Sequence, residues 1–158
     1  MKRENVEKIA FCFPSSQTKE GENGLVVPIL VWVVQDDIDY MSYKFKVWFT
    51  IGFIKLVKKL RYIVKINVYK NDIKLPVSPH SDAGVIIEPD NVLSRDGRVA
   101  ADMTEEICIL AKPEDGIYKV EVSLHPSDNE EIVIDSLQTY FDVYVDHSLM
   151  DKLYNGKN

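Results

Sequence analysis

Short runs of β-branched and aromatic residues, separated by clusters of Pro, Gly, Asn and Asp, recur along this chain and predict strands far more often than helices. Glu7 to Phe13 is the first run, closed by Pro14 and a polar loop from Ser15 to Gly24. Leu25 to Val34 is almost continuously apolar, which suits a strand covered on both faces, with Pro28 at an edge or irregular position because it cannot donate to a ladder. Asp36, Asp37 and Asp39 then mark a turn. Tyr43 to Ile51 alternates with period two: Tyr43, Phe45, Val47, Phe49 and Ile51 share one face, and Lys44, Lys46, Trp48 and Thr50 share the other.

After Gly52 the period changes. Phe53, Leu56, Val57, Leu60 and Val64 fall within one arc at 100° per residue and Lys55, Lys58, Lys59 and Lys65 on the opposite arc, which predicts a short helix from about Phe53 to Leu60. Tyr62 to Lys70 returns to strand composition. Asn71-Asp72 before Ile73, Lys74 and Leu75 reads as a two-residue hairpin turn, since both residues tolerate positive φ. Further strands are expected at Val85–Glu88, Thr104–Leu110, Ile117–Leu124, Ile132–Ile134 and Thr139–Val145, with a turn at Ser94–Gly97. Ser148-Leu149-Met150-Asp151 has capping-box spacing, so a helical tail is expected over about 148–155, stopped by Asn155-Gly156.

Evenly spaced short strands with few helices imply a mostly β chain, a two-layer antiparallel β-sandwich forming one domain over residues 1–158. The segment Glu114-Asp115-Gly116-Ile117-Tyr118-Lys119-Val120-Glu121-Val122 resembles the entry to the penultimate strand of immunoglobulin-like domains. The resemblance implies that Tyr118 sits at the corner between sheets with its hydroxyl returned to the backbone. Antibody-type domains carry a cysteine two residues after that tyrosine. Val120 stands there in this chain, so the family disulfide is absent, and either Trp32 or Trp48 would have to serve as the core tryptophan.

Length and composition agree with this: 158 residues, 46% of them apolar, suffice for one core without a metal or disulfide staple. The two cysteines, Cys12 and Cys108, form no C-x-x-C pair, and reduced, buried thiols are expected in preference to a Cys12 to Cys108 bridge. The amino terminus, Met-Lys-Arg-Glu-Asn-Val-Glu-Lys, lacks the apolar core of a secretory leader, and no apolar run approaches the roughly 20 residues of a spanning helix, so a cytoplasmic location is expected.

Charge is the one asymmetric feature. Between Tyr40 and Asn71 the chain places eight basic residues and no acidic one, while the rest, with 11 basic against 25 acidic residues, sums to −14 within a total of −6. Cations beside aromatic rings can dock on acidic proteins, on anionic lipid or on single-stranded nucleic acid. The candidate site residues are therefore Lys44, Lys46, Trp48, Lys58, Lys59 and Arg61, acting by electrostatic steering around one aromatic anchor. The expected role is a non-enzymatic binding or assembly module for protein, including a second copy of itself. Lipid or nucleic-acid binding by the same band is the alternative, and a thiol enzyme pairing Cys12 with a histidine such as His125 is the third reading. No cofactor or metal is expected: the glycines form no phosphate-binding or dinucleotide spacing, His80, His125 and His147 are scattered, and neither G-x-S-x-G nor H-E-x-x-H occurs.

Overall fold

A computed structural model of the chain describes residues 6–16, 28–35, 44–78, 84–89 and 96–147. Ten strands run through them: β1 (Lys8–Pro14), β2 (Val31–Gln35), β3 (Phe45–Val57), β4 (Tyr62–Lys70), β5 (Ile73–Leu75), β6 (Val77–Ser78), β7 (Val85–Ile87), β8 (Arg98–Ile109), β9 (Gly116–Pro126) and β10 (Asp135–Asp146). They form a four-stranded sheet, β1-β3-β8-β6, and a six-stranded sheet, β2-β10-β9-β4-β5, in which β7 also pairs with β4. All pairings are antiparallel except β2 on β10, which is parallel. The amino-terminal segment thus serves both sheets, β1 in one and β2 in the other.

Alternation along the long strands builds the core. Phe45, Val47, Phe49, Ile51 and Phe53 of β3 point inward, as do Tyr118, Val120, Val122 and Leu124 of β9 and Phe141, Val143 and Val145 of β10. The inner faces meet ring to ring: Phe49 lies edge-on to Phe141 at 5.5 Å and Phe45 edge-on to Tyr118 at 5.8 Å. Such pairs add about 0.5–1.5 kcal/mol each to what burial alone provides.

The Asp115-Gly116-x-Tyr118 segment forms a closed corner. The Tyr118 hydroxyl accepts the Glu114 N–H at 3.1 Å and donates to the Glu114 carbonyl at 3.2 Å. Gly116 at φ 115° supplies backbone geometry that a side chain would oppose. Asn71 and Asp72, at φ 50° and 62°, make the expected two-residue hairpin between β4 and β5.

Several expected elements are corrected. Phe53–Leu60 is not a helix: β3 continues to Val57 and turns at Lys58-Lys59. A bulge between Phe53 and Leu56, with Lys55 at φ 61°, shifts the register by one residue, so inward positions fall three apart and imitate helical spacing. Of Leu25–Val34, residues 25–27 lie outside the described residues and the strand within 28–34 begins at Val31; β2 lies at a sheet edge with Val31 and Val33 exposed rather than covered on both faces. Ile132–Ile134 belongs to the β9–β10 connection, not to a strand. Neither indole joins the fully buried core, since Trp32 packs at its margin and Trp48 is half-buried on the outer side of β3. The tail over about 148–155 lies outside the described residues.

Candidate functional site

The cationic band does not converge. Lys44 and Lys46 stand at the start of β3, whereas Lys58, Lys59 and Arg61 lie at its far end and in the turn to β4. Twelve residues of extended chain separate Lys46 from Lys58, roughly 40 Å at strand rise. Many of the cations are also committed to carboxylates: Lys46 to Glu106 at 3.1 Å, Lys55 to Asp96 at 2.9 Å, Arg61 to Glu88 at 3.0 Å and Lys65 to Glu130 at 3.5 Å. Lys70 caps the Asp115 carbonyl and sits 4.7 Å over the Tyr118 ring. Lys44, Lys58 and Lys59 are exposed and make no ion pair among the described residues. Of the six candidate residues, then, Lys44, Lys46 and Trp48 share one end and one face, and the other three occupy the opposite end.

Trp48 lies half-buried on the outer face of the four-stranded sheet, where Phe11 and Ile54 are also partly exposed. Phe11 and Phe13 stack at 5.4 Å, and the Phe11 ring rests directly on Gly52, where a Cβ would strike it. Beside them the Ser15, Thr50 and Thr104 hydroxyls form a chain of hydrogen bonds at 2.8 and 2.9 Å.

A second apolar group lies on the outer face of the six-stranded sheet. Ile117 of β9 is 65% exposed and Tyr140 of β10 62%, and Tyr144 of β10 with Val31 and Val33 of β2 are also exposed. Register brings these five together: Val31, Asp142 and Ile117 lie in one cross-strand row, and Tyr144 is opposite Val33. Asp142, exposed at the centre of the group, makes no ion pair among the described residues. The rim is polar and ordered: Lys119 sits 4.6 Å over the Tyr69 ring, and Gln138 donates to Glu121 at 3.0 Å. Contiguous exposed apolar surface with a polar rim marks a contact site, and tyrosine suits it because the ring is apolar and the hydroxyl tolerates water.

Sequence reasoning missed this group, though the signal exists. In Thr139–Val145 both alternating sets are largely apolar, Phe141, Val143 and Val145 on one side and Tyr140 and Tyr144 on the other. A strand of that kind requires cover on both faces, and the described residues supply it on one.

Cys12 and His125, the pair considered for covalent chemistry, are both buried. Cys12 is buried in the core, and burial pushes its thiol up to about 12, so it keeps its proton and offers no thiolate at neutral pH. His125 is likewise buried, with one ring nitrogen 2.7 Å from the Ser123 hydroxyl and the other 2.9 Å from the Ile132 carbonyl. Among the described residues it is the Ile132 carbonyl, not a carboxylate, that orients the imidazole, which ties the β9–β10 connection to β9. Both cysteines are free, Cys12 buried and Cys108 half-exposed. Among the described residues no three His, Cys, Asp or Glu side chains gather closely enough to hold a metal ion, and no helix is long and apolar enough to cross a membrane. Asp36, Asp37, Asp39 and His80 lie outside the described residues.

Compared with known proteins, the chain matches no family model, and no curated protein shows significant sequence similarity to it.

Proposed function

We propose that this protein is a non-enzymatic binding module of immunoglobulin-like β-sandwich architecture that contacts a protein partner through the outer face of its six-stranded sheet. Three features support the architecture. The strand orders β1-β3-β8-β6 and β2-β10-β9-β4-β5 match an arrangement in which the first strand divides between two sheets. Tyr118 closes its corner on Glu114. Val120, at the position of the family cysteine, is fully buried and fills by packing the place a disulfide takes elsewhere.

One observation carries the binding reading: the exposed cluster of Ile117, Tyr140, Tyr144, Val31 and Val33 around Asp142. Leaving such side chains in water forgoes about 25 cal/mol for each Å² that a partner could cover. The cations at the two ends of β3 are too far apart to act as one docking surface, and they act here as long-range steering of an acidic partner toward the molecule. Two free thiols fit a reducing, cytoplasmic setting.

The test is co-purification of the whole chain from its native cells beside an Ile117→Ser/Tyr140→Ser/Tyr144→Ser variant whose fold is verified by circular dichroism. Loss of the partners bound by the unaltered chain is expected. An unchanged set of partners would remove the proposal.

A further inference from the structure

Many charged side chains on the strands are answered by an opposite charge or turned to a structural use. Lys46 reaches Glu106, Lys65 reaches Glu130, and Lys119 lies over the Tyr69 ring with Asp72 at 3.9 Å. Asp135 takes the Ile9 N–H at 2.8 Å and Asp115 takes the Val145 N–H at 2.7 Å. Glu105, on the core-facing side of β8 opposite Phe49, guards an edge that β6 covers, among the described residues, only at Cys108 and Ile109, since an inward-pointing acid opposes a further strand. Asp142 has no such use among the described residues: it is exposed on β10 and makes neither an ion pair nor a hydrogen bond with them.

Its nearest neighbours on that face are aromatic or apolar. Tyr140 and Tyr144 precede and follow it on the same side of β10, each about 7 Å away at strand rise. Ile117 of β9 and Val31 of β2 lie opposite it in register, about 5 Å to either side at interstrand spacing. Lys119, diagonal to Asp142 across the β9–β10 ladder, is turned the other way, over Tyr69 of β4. A partner that covers this group removes a carboxylate from water together with the rings. A charge buried without a counter-charge costs more than the apolar contact returns, so the partner must bring a cation.

We propose that Asp142, Tyr140 and Tyr144 hold the guanidinium of an arginine presented by the protein partner, with Ile117 and Val31 covering its aliphatic stem. This rests on the reading of the face as a binding surface and names the chemistry of what it binds. An ammonium would also answer the charge, but the guanidinium is planar, stacks on tyrosine rings, forks onto a carboxylate and is weakly hydrated, so it gives up less on entering an apolar ring. Phosphate is opposed by the same carboxylate, which disfavours lipid headgroups and nucleic acid at this face. The cations at the two ends of β3 act on the partner's net charge at a distance, whereas Asp142 acts only on what touches it. An acidic partner carrying one exposed arginine satisfies both.

Random dodecapeptides displayed on phage and selected on the whole chain test the proposal, the enriched peptide then being synthesised and its affinity measured by calorimetry. It should carry an arginine beside apolar residues and should lose binding when Ile117, Tyr140 and Tyr144 are replaced by Ser. Asp142→Asn should leave the urea midpoint unchanged, yet weaken the peptide by roughly tenfold or more, beyond what an exposed rim pair gives. Citrulline, the neutral isostere, in place of the peptide's arginine should cost the same, and combining it with Asp142→Asn should cost nothing further. A smaller loss from Asp142→Asn, or additive losses in the combination, overturns the assignment. If the enriched peptides lack arginine yet need Ile117, Tyr140 and Tyr144, the arginine site fails and the binding reading stands. If no peptide needs those three residues, both fall.

Discussion

The carboxylate of Asp135, the first residue of β10, accepts the backbone N–H of Ile9 in β1 at 2.8 Å. One side chain of the six-stranded sheet thereby occupies a donor at the margin of the four-stranded sheet and closes one side of the molecule. The second oxygen of Asp135 is 3.7 Å from the half-exposed Lys8 ammonium, a long contact that adds little.

Replacing Asp135 by Ala should therefore cost about 1.5–3 kcal/mol, the range for a hydrogen bond to a charged group. Asn keeps an acceptor and should cost less. Urea unfolding of both variants measures this. Equal losses for Ala and Asn would mean that the Ile9 contact is not what matters at this position.

Tyr118→Phe isolates the corner. The ring, stacked on Phe141 at 5.4 Å, would stay in place while the Glu114 N–H and carbonyl both lose the hydroxyl. A loss of about 1–3 kcal/mol in urea unfolding is expected, because one deletion strands two backbone groups. A neutral result would show that water replaces the hydroxyl at no cost.

How far the sequence reveals these features depends on whether local pattern or long-range register sets them. Phe45 to Ile51 was legible because alternation is local, and Asn71-Asp72 because positive φ selects those residue types. The bulge at Lys55 was not, since one inserted residue converts a spacing of two into three and reads as a helix. The cationic band is contiguous in sequence, but an extended strand spreads it over two ends of the molecule. Ile117, Tyr140 and Tyr144 come together only through the β9–β10–β2 register, which no local pattern encodes.

Glu105 is an acid on the inward side of β8, and burial first, then the neighbouring Glu106, raises its pKa above the ordinary 4.5. The folded state binds this proton more tightly than the unfolded state. Its contribution to stability is therefore complete below about pH 4.5 and is lost as pH rises through the folded value. Glu105→Gln, which never ionises, should raise the urea midpoint at neutral pH, and the advantage should vanish in acid. Glu105→Val should be more stable still, yet more prone to aggregate, because the guard on the β8 edge is gone. A Val variant as monodisperse as the parent on light scattering would refute that role for the carboxylate.

Cys12 and Cys108 should differ sharply toward alkylation. Cys108 is half-exposed on the outer side of β8, while Cys12 is buried opposite Ile51 with its thiol pushed up to about 12. Since the thiolate is the reactive form, Cys12 is both inaccessible and protonated at pH 8. Iodoacetamide followed by peptide mass spectrometry should label Cys108 in the native protein and Cys12 only after urea is added. The urea concentration at which Cys12 becomes reactive should coincide with the global unfolding midpoint, because β1 is held between Ile51 and Phe53 on one side and Asp135 on the other. Labelling of Cys12 well below that midpoint would mean that β1 detaches on its own, and would return Cys12 to consideration as a reactive thiol.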